Sequence, residues 1–337
     1  MILFMGLPDG SLHTTQMIRQ QVLICMKEMR AVHSYKTIGT DLTTLRRKPA
    51  VRAIDHLCVH SGEVPFLSFP LLDEQDWLMN CFSTRLGGVS EEGLAALNLS
   101  YTREKGGREK VDENFRRMAE SVGFPAEDMV LSWQTHTTNI RVVREEDRGK
   151  GFTSQRDYCD IDGLVTDVPG LVLVTFYGDC VPLLAADPVR HVIGAAHSGW
   201  KGTLNNIGGE LIRTMKETYG CDPADMIAAI GPSICSDCFE VDRDVADAFR
   251  AKTDPDVFEK ICRTASDPEK RKAGKHHIDL QEACRQNFLH AGLAFDRISV
   301  PDVCSCCNSD LLFSHRGSPE EHGLMAAFLG ILQRKKR

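Results

Sequence analysis

Cys180 and His197 are the two residues of this chain best placed to do chemistry together. Cys180 opens the apolar run Val181 to Ala186, and His197 closes the run Val192 to Ala196, with the turn signal Asp187-Pro188 between them. If the runs are neighbouring strands paired antiparallel, thiol and imidazole fall at the same end of a sheet. There they can share a metal ion or act on each other. A glycine-flanked Trp200-Lys201 follows, then a helical pattern with Leu204, Ile207, Leu211 and Met215 on one face. Bare amides at the start of such a helix, beside Lys201, suit an anion.

Gln134-Thr-His136 sits just past one strand-like run and before another. Joined to Cys180 and His197, His136 completes a Cys-His-His set suited to zinc with an open fourth position. Imidazole and thiolate favour zinc over magnesium. The three ligands would come from separate elements, so spacing alone does not decide for a metal. Cys180 and His197 equally fit a nucleophile and its base, with Asp179 or Asp162 orienting the histidine, which predicts a hydrolase or acyl-transfer enzyme. Arg85, Lys201 and Arg316 lie in short glycine- or serine-bearing loops and are candidates for one anion pocket, arginine by forked contacts and lysine as a point charge. Cys235-Ser-Asp-Cys238 and Cys304-Ser-Cys306-Cys307 offer four further thiolates for a zinc knuckle. The second half reads as lacking the usual two-residue gap, and small buried thiols are common in cores.

The elements that must position these residues are mostly short. Strands are expected at Val64 to Leu72, Trp77 to Ser83, 128–133, 138–144, 162–167, 171–176, 226–230 and 297–302. Helices are expected at 109–122, with Val111, Phe115, Met118, Ala119 and Val122 on one face, and at 203–217, 242–262, 281–291 and 322–334. Basic 268–275 reads as a surface loop. Residues 1–61 are poorly patterned, apart from a possible helix at 16–30, and read as a loosely attached N-terminal extension. Residues 62–337 then form one α/β domain, its strands too closely spaced for a plain doubly wound sheet.

Composition narrows the function. The 337 residues carry a formal net charge of −7 and no basic stripe, which gives nucleic-acid binding little support. No apolar run approaches the roughly 18 residues of a membrane span. The opening Met1 to Leu7 is apolar but has no basic flank, so a signal peptide is not expected. The 13 cysteines, an odd number, then read as reduced thiols, and the cytoplasm as the compartment. Absent motifs exclude several chemistries: the deaminase pairing of His-x-Glu with Pro-Cys-x-x-Cys, His-Glu-x-x-His, a phosphate-binding Walker loop, a Gly-x-Ser-x-Gly elbow and the His-x-His repeats of multicopper oxidases.

Taken in order, Ser83-Thr-Arg-Leu-Gly-Gly-Val-Ser90, Gln134-Thr-His136, Asp162-Gly-Leu-Val-Thr166, Gly178-Asp-Cys-Val-Pro182, Ala195-Ala-His-Ser-Gly-Trp-Lys-Gly202, Ile230-Gly-Pro, Cys238-Phe-Glu-Val241 and Phe313-Ser-His-Arg316 resemble the YfiH/YlmD family, which carries the older name of laccase domain or polyphenol oxidase. The likeness covers about residues 62 to 334. It implies a layered α/β/β/α fold and one zinc held by His136, Cys180 and His197, with little copper. It also implies phosphorolysis of adenosine, inosine and S-methyl-5'-thioadenosine, with adenosine deamination as a second activity. Purine nucleosides and phosphate would be the partners, with the phosphate against Arg85, Lys201 and Arg316. Copper-linked phenol oxidation and hydrolytic editing of peptidoglycan precursors, by zinc or by Cys180, are the other activities tied to the family. The chain departs from the family pattern at Ser198, where alanine is usual, at Lys201 and Leu324, where arginine is usual, and at His315, where tyrosine is usual.

Overall fold

The runs on either side of Asp187-Pro188 are indeed strands. Val181–Asp187 and Val192–Ser198 pair antiparallel, with Pro182 opposite His197 and Asp187 opposite Val192. All residues of both are buried. That explains why they read as continuous apolar runs rather than alternating ones: both faces of the sheet are covered. Leu184, Ala186, Ile193 and Ala195 point into one apolar cluster, and Val181, Leu183, Ala185 and Ala196 into another. This is the two-residue period of a strand serving two cores at once.

The computed structural model describes residues 42–91, 96–320 and 322–333. Two six-stranded sheets make its centre. The first runs Cys58–His60, Phe66–Ser68, Leu78–Ser83, Met325–Ile331, Val172–Tyr177, Met129–Leu131, antiparallel except for the last pair. The second runs Ile298–Ser299, Ile227–Ile230, Val181–Asp187, Val192–Ser198, Gly163–Thr166, Ile140–Val142, with parallel pairs at its two edges. The sheets face each other across a core that joins Leu67, Phe82, Leu173 and Leu329 to Leu164, Leu184, Ile193 and Ile227. Outside the first sheet, helix Arg108–Val122 seats Val111, Phe115 and Met118 against Val174 and Phe328. Outside the second, helices Ile207–Tyr219 and Leu280–His290 cover Val165, Leu183 and Ala228. The order of layers is therefore α/β/β/α. No helix among the described residues is long and apolar enough to cross a membrane.

Several local expectations fail for identifiable reasons. The stretch expected as a final helix is strand Met325–Ile331, buried on both faces between Leu78–Ser83 and Val172–Tyr177. A short all-apolar run carries no period to tell strand from helix. The strand expected at Val64 to Leu72 is only Phe66–Ser68, because Pro70 opens a short helix, Pro70–Asp73. Proline likewise divides the expected helix 242–262 into Arg243–Lys252 and Pro255–Ile261. Asn206, at φ 62°, divides the one after Trp200 into Trp200–Leu204 and Ile207–Tyr219. The basic loop contains a short helix, Pro268–Lys272.

The boundary at residue 62 is also misplaced. The possible helix at 16–30 lies outside the described residues, but residues 42–61 are part of the core unit. Leu42, Leu45 and Leu57 are buried in the cluster between the sheets. The Arg47 guanidinium meets Asp302 and donates to Leu57 O at 3.0 Å, and Asn308 clasps both backbone polar groups of Arg46. Cys58–His60 is the edge strand of the first sheet. Each leucine contributes about 1.5–3 kcal/mol on burial, so the segment is worth a large part of a typical folding free energy of about 5–15 kcal/mol. A chain beginning at Gly62 should therefore lose soluble yield and melt well below one beginning at Leu42. Equal melting temperatures would show that this segment is dispensable.

Candidate metal centre

Antiparallel pairing brings the ligands together. Pro182 lies opposite His197, so Cys180, two residues before Pro182, emerges at the edge where His197 ends its strand. The third group arrives from the turn after Trp133, whose backbone bridges to Ile161. There His136 takes a left-handed conformation, φ 67°, uncommon for a residue with a side chain. One donor atom from each of His136, Cys180 and His197 lies within 4.8 Å of the other two. The Cys180 sulfur is 3.8 Å from His136 Nε2, and the imidazole rings sit edge to face with centroids 4.9 Å apart. Gly199 leaves the room for them: a Cβ there would lie 2.5 Å from His136 Cδ2 and 3.2 Å from the Cys180 sulfur.

One buried carboxylate sets this geometry. Asp162 Oδ1 accepts from His197 Nδ1 at 2.8 Å and from the His136 amide at 3.0 Å. Its Oδ2 accepts the amides of Thr135 and Thr137, at 3.0 and 2.9 Å, and the Thr137 hydroxyl at 2.8 Å. Burial alone would raise its pKa, but His197 and these amides hold it down at about 2. The ionised carboxylate fixes the proton of His197 on Nδ1 and leaves Nε2 as the ligand atom. For Cys180, burial is outweighed by the charge of His197 and the hydrogen bond from His136, which bring the thiol down to about 6. His197 shows the reverse: burial disfavours its charge, yet Cys180 and then Asp162 raise it to about 9. Without a metal the pair is thus a thiolate facing an imidazolium.

These groups fit zinc. The thiolate forms near neutral pH, the imidazole is aimed by a carboxylate, and three protein ligands leave one position open. They would also fit a Cys-His-Asp hydrolase. Of the two aspartates considered for orienting the histidine, Asp162 does so. Asp179 instead accepts from Ser305 Oγ and Ser314 Oγ, both at 2.7 Å, and from the Arg316 amide at 2.6 Å.

A cavity of about 640 Å³ opens onto the three groups. Tyr101, Trp133, Phe176, Trp200 and Phe239 give it aromatic walls, and Arg103, Arg156 and Arg316 face it with His315 and His322. Of the three expected anion binders, only Arg316 lines it. Its guanidinium also donates to the carbonyls of Cys238 and Glu240 at 2.9 and 3.1 Å. Arg85 lies over the Phe313 ring, 4.6 Å from its centroid, and donates to Ser309 O, so it braces the loop before Arg316 from behind. Lys201 is exposed on helix Trp200–Leu204, outside the cavity. Arg103 and Arg156 stand in loops without any motif, and nothing local in the sequence marks them. His315 and Leu324 are lining residues, so two of the departures from the family pattern fall on the cavity wall.

Gly199 has φ −70°, which alanine adopts without strain, so Gly199→Ala should act only by displacing the ligands. Zinc affinity should fall about 10-fold or more with folding intact; titration against a competing chelator reads it, and unchanged affinity would contradict the packing. Affinity should also depend on pH in a set way. Zinc must displace one proton from the Cys180–His197 pair between about pH 6 and 9, and two below about pH 6. The apparent constant should therefore drop about 10-fold per pH unit in the upper range and more steeply in the lower. A flat profile would exclude the pair as ligands.

The model of the family described as multi-copper polyphenol oxidoreductase laccase matches residues 79–332. The purine nucleoside phosphorylase YlmD of Bacillus subtilis is 34% identical over 74% of this chain and 87% of its own. A protein named adenosine deaminase RL5, from an unknown prokaryotic organism, is 32% identical over 59% of this chain and 73% of its own. The crystal structure of the hypothetical protein YfiH from Bacillus licheniformis superposes with a TM-score of 0.72 at 32% identity, covering 80% of this chain and 97% of that one. The chain belongs to the YfiH/YlmD family, the one that carries the laccase-domain name.

Proposed function

We propose that the chain is a zinc-dependent purine nucleoside phosphorylase, acting on adenosine, inosine and S-methyl-5'-thioadenosine, with adenosine deamination at the same centre. The cavity carries this reading: it joins a Cys-His-His donor set to aromatic walls and three arginines in one space. Among its described lining residues Asp179 is the one carboxylate, and serine hydroxyls and an amide take up its oxygens. An aromatic base and an anion both suit such a lining. The names of the relatives support the class.

In this reading His136, Cys180 and His197 hold the zinc, which when bound supplies Lewis-acid polarisation of a substrate or water oxygen. Arg316, Arg103 and Arg156 bind phosphate and aim it at the sugar carbon, where positive charge develops as the glycosidic bond breaks. The aromatic walls stack the purine and keep bulk water from competing with phosphate. Burial, with Arg103 and His315 nearby, holds the pKa of His322 down. Its Nδ1 donates to Pro319 O at 3.2 Å, which leaves Nε2 as an acceptor for a sugar hydroxyl.

A second reading has an observation of its own. The Cys180 thiolate, the His197 imidazolium and the Asp162 carboxylate form a chain of contacts like that of a thiol hydrolase acting on amide bonds, including those of peptidoglycan precursors. His136 separates the two, because a Cys180–His197 dyad does not need it as a metal ligand. Under the first reading, purified protein should release free base from adenosine only when phosphate is present. His136→Ala and Cys180→Ser should each lower zinc content and cut both nucleoside activities together, by more than the ~10–100-fold that loss of a supporting residue costs. Full zinc and full phosphorolysis rate in His136→Ala would sink the three-ligand site and favour the dyad.

A further inference from the structure

A second group of soft ligands lies beside the first site. Strands Ile227–Ile230 and Ile298–Ser299 run parallel, and the chain leaving each continues alongside the other through a backbone bridge between Ser233 and Cys304. Cys235 and Cys238 come from the first of these segments, Cys304 and Cys307 from the second. Their four sulfurs all lie within 4.8 Å of one another. Cys238 and Cys307 are 3.6 Å apart, and Cys235 and Cys307 4.0 Å. Cys306 packs on the apolar cluster under helix Leu280–His290 instead. The second pair is therefore Cys304-x-x-Cys307, so the expectation that this half lacks a two-residue gap is corrected: it has the same gap as Cys235-x-x-Cys238.

The spacing identifies the kind of occupant. A disulfide needs sulfurs about 2.05 Å apart, and every cysteine among the described residues is a free thiol. Four thiolates about 2.3 Å from a central zinc lie about 3.8 Å from one another at the corners of a tetrahedron, which the two sulfur pairs bracket. A multi-iron cluster spreads its cysteines over separate irons and holds them farther apart. The backbone is arranged for charge on sulfur: the amides of Cys235 and Cys307 both point at the Cys304 sulfur, at 3.2 and 3.4 Å. Thiols that merely filled a core would need neither two matching gaps nor amides aimed at one sulfur.

We propose that Cys235, Cys238, Cys304 and Cys307 hold a second, structural zinc ion, closed on all four sides by thiolate. Binding releases the thiol protons to solvent and needs no redox partner. The site staples two loops that form the wall of the catalytic cavity. Ile234 and Phe239, flanking the first pair, line that cavity. Ser305, inside the second pair, donates to Asp179, and the Ile234 amide donates to the Asp179 carbonyl at 3.0 Å. The ion thus fixes the residue that precedes Cys180, and through the Cys238 carbonyl it fixes the Arg316 guanidinium as well.

The test is metal content and zinc X-ray absorption on protein purified under reducing conditions. The wild-type chain should carry two zinc ions with a mean of about 2.5 sulfurs each, four at one site and one at the other. The variant His136→Ala/His197→Ala should keep one zinc, surrounded by four sulfurs at about 2.3 Å. Adding Cys307→Ser should remove it. The absorption spectrum of the histidine variant decides even if the cysteine variant fails to fold. No zinc in that variant, zinc bound by nitrogen or oxygen, iron in its place, or a Cys238–Cys307 disulfide in the freshly isolated chain would each overturn the assignment.

Discussion

A carboxylate shut away from water must be satisfied by the protein or it will not stay ionised. Asp162 meets that demand with three consecutive amides, a hydroxyl and an imidazole, and in doing so it defines the site. The amides of residues 135–137 can converge on one carboxylate only if the chain turns sharply there, which is why His136 takes a left-handed conformation. The imidazole of His197 can reach the same carboxylate only if its strand ends at that edge of the sheet. Two ligands from distant parts of the chain are thus held to one point by the charge between them. The third, Cys180, becomes a thiolate because His197 carries the proton that Asp162 stabilises.

Asp179 repeats the arrangement on the other side of Cys180. It too is buried, here with its own backbone left-handed at φ 92°, and it gathers Ser305, Ser314 and the Arg316 amide from loops far along the chain. One aspartate organises the ligands, and the other organises the wall that faces them. Neither touches the cavity as a free charge, so the interior of the site stays open to anions. That division of labour accounts for a lining of arginines and aromatic rings around a thiolate without a competing carboxylate.

What could be read from residues alone follows the range of the forces involved. Cys180 and His197 were legible because a turn and two apolar runs place them by local rules, and the layered fold because the motifs come in the order of a known family. Asp162 could be named as an orienting group, but its preference over Asp179 depends on which loop each one faces. That Lys201 and Arg85 fall outside the cavity was hidden for a similar reason: glycine-bearing loops say that a basic residue is accessible, not which way it points. Arg103 and Arg156 were invisible, since each sits in an irregular loop whose path is set by packing elsewhere. Met325–Ile331 was mistaken for a helix because burial on both faces erases the alternation that marks a strand.

The central place of that strand has a consequence for how the protein is made. Met325–Ile331 fills the gap between Leu78–Ser83 and Val172–Tyr177, and the bond from the Ala326 amide to the Ser83 hydroxyl spans 243 residues. Until residue 331 has cleared the ribosome, the first sheet is two separate ribbons, each with an unpaired edge and an apolar face. Vectorial folding from the N-terminus can build helix Arg108–Val122 and the hairpin around residue 187, but it cannot close the core. Until then both ribbons carry exposed strand edges, the feature through which chains pair wrongly with one another, and a chain cut before Met325 lacks the strand that joins them.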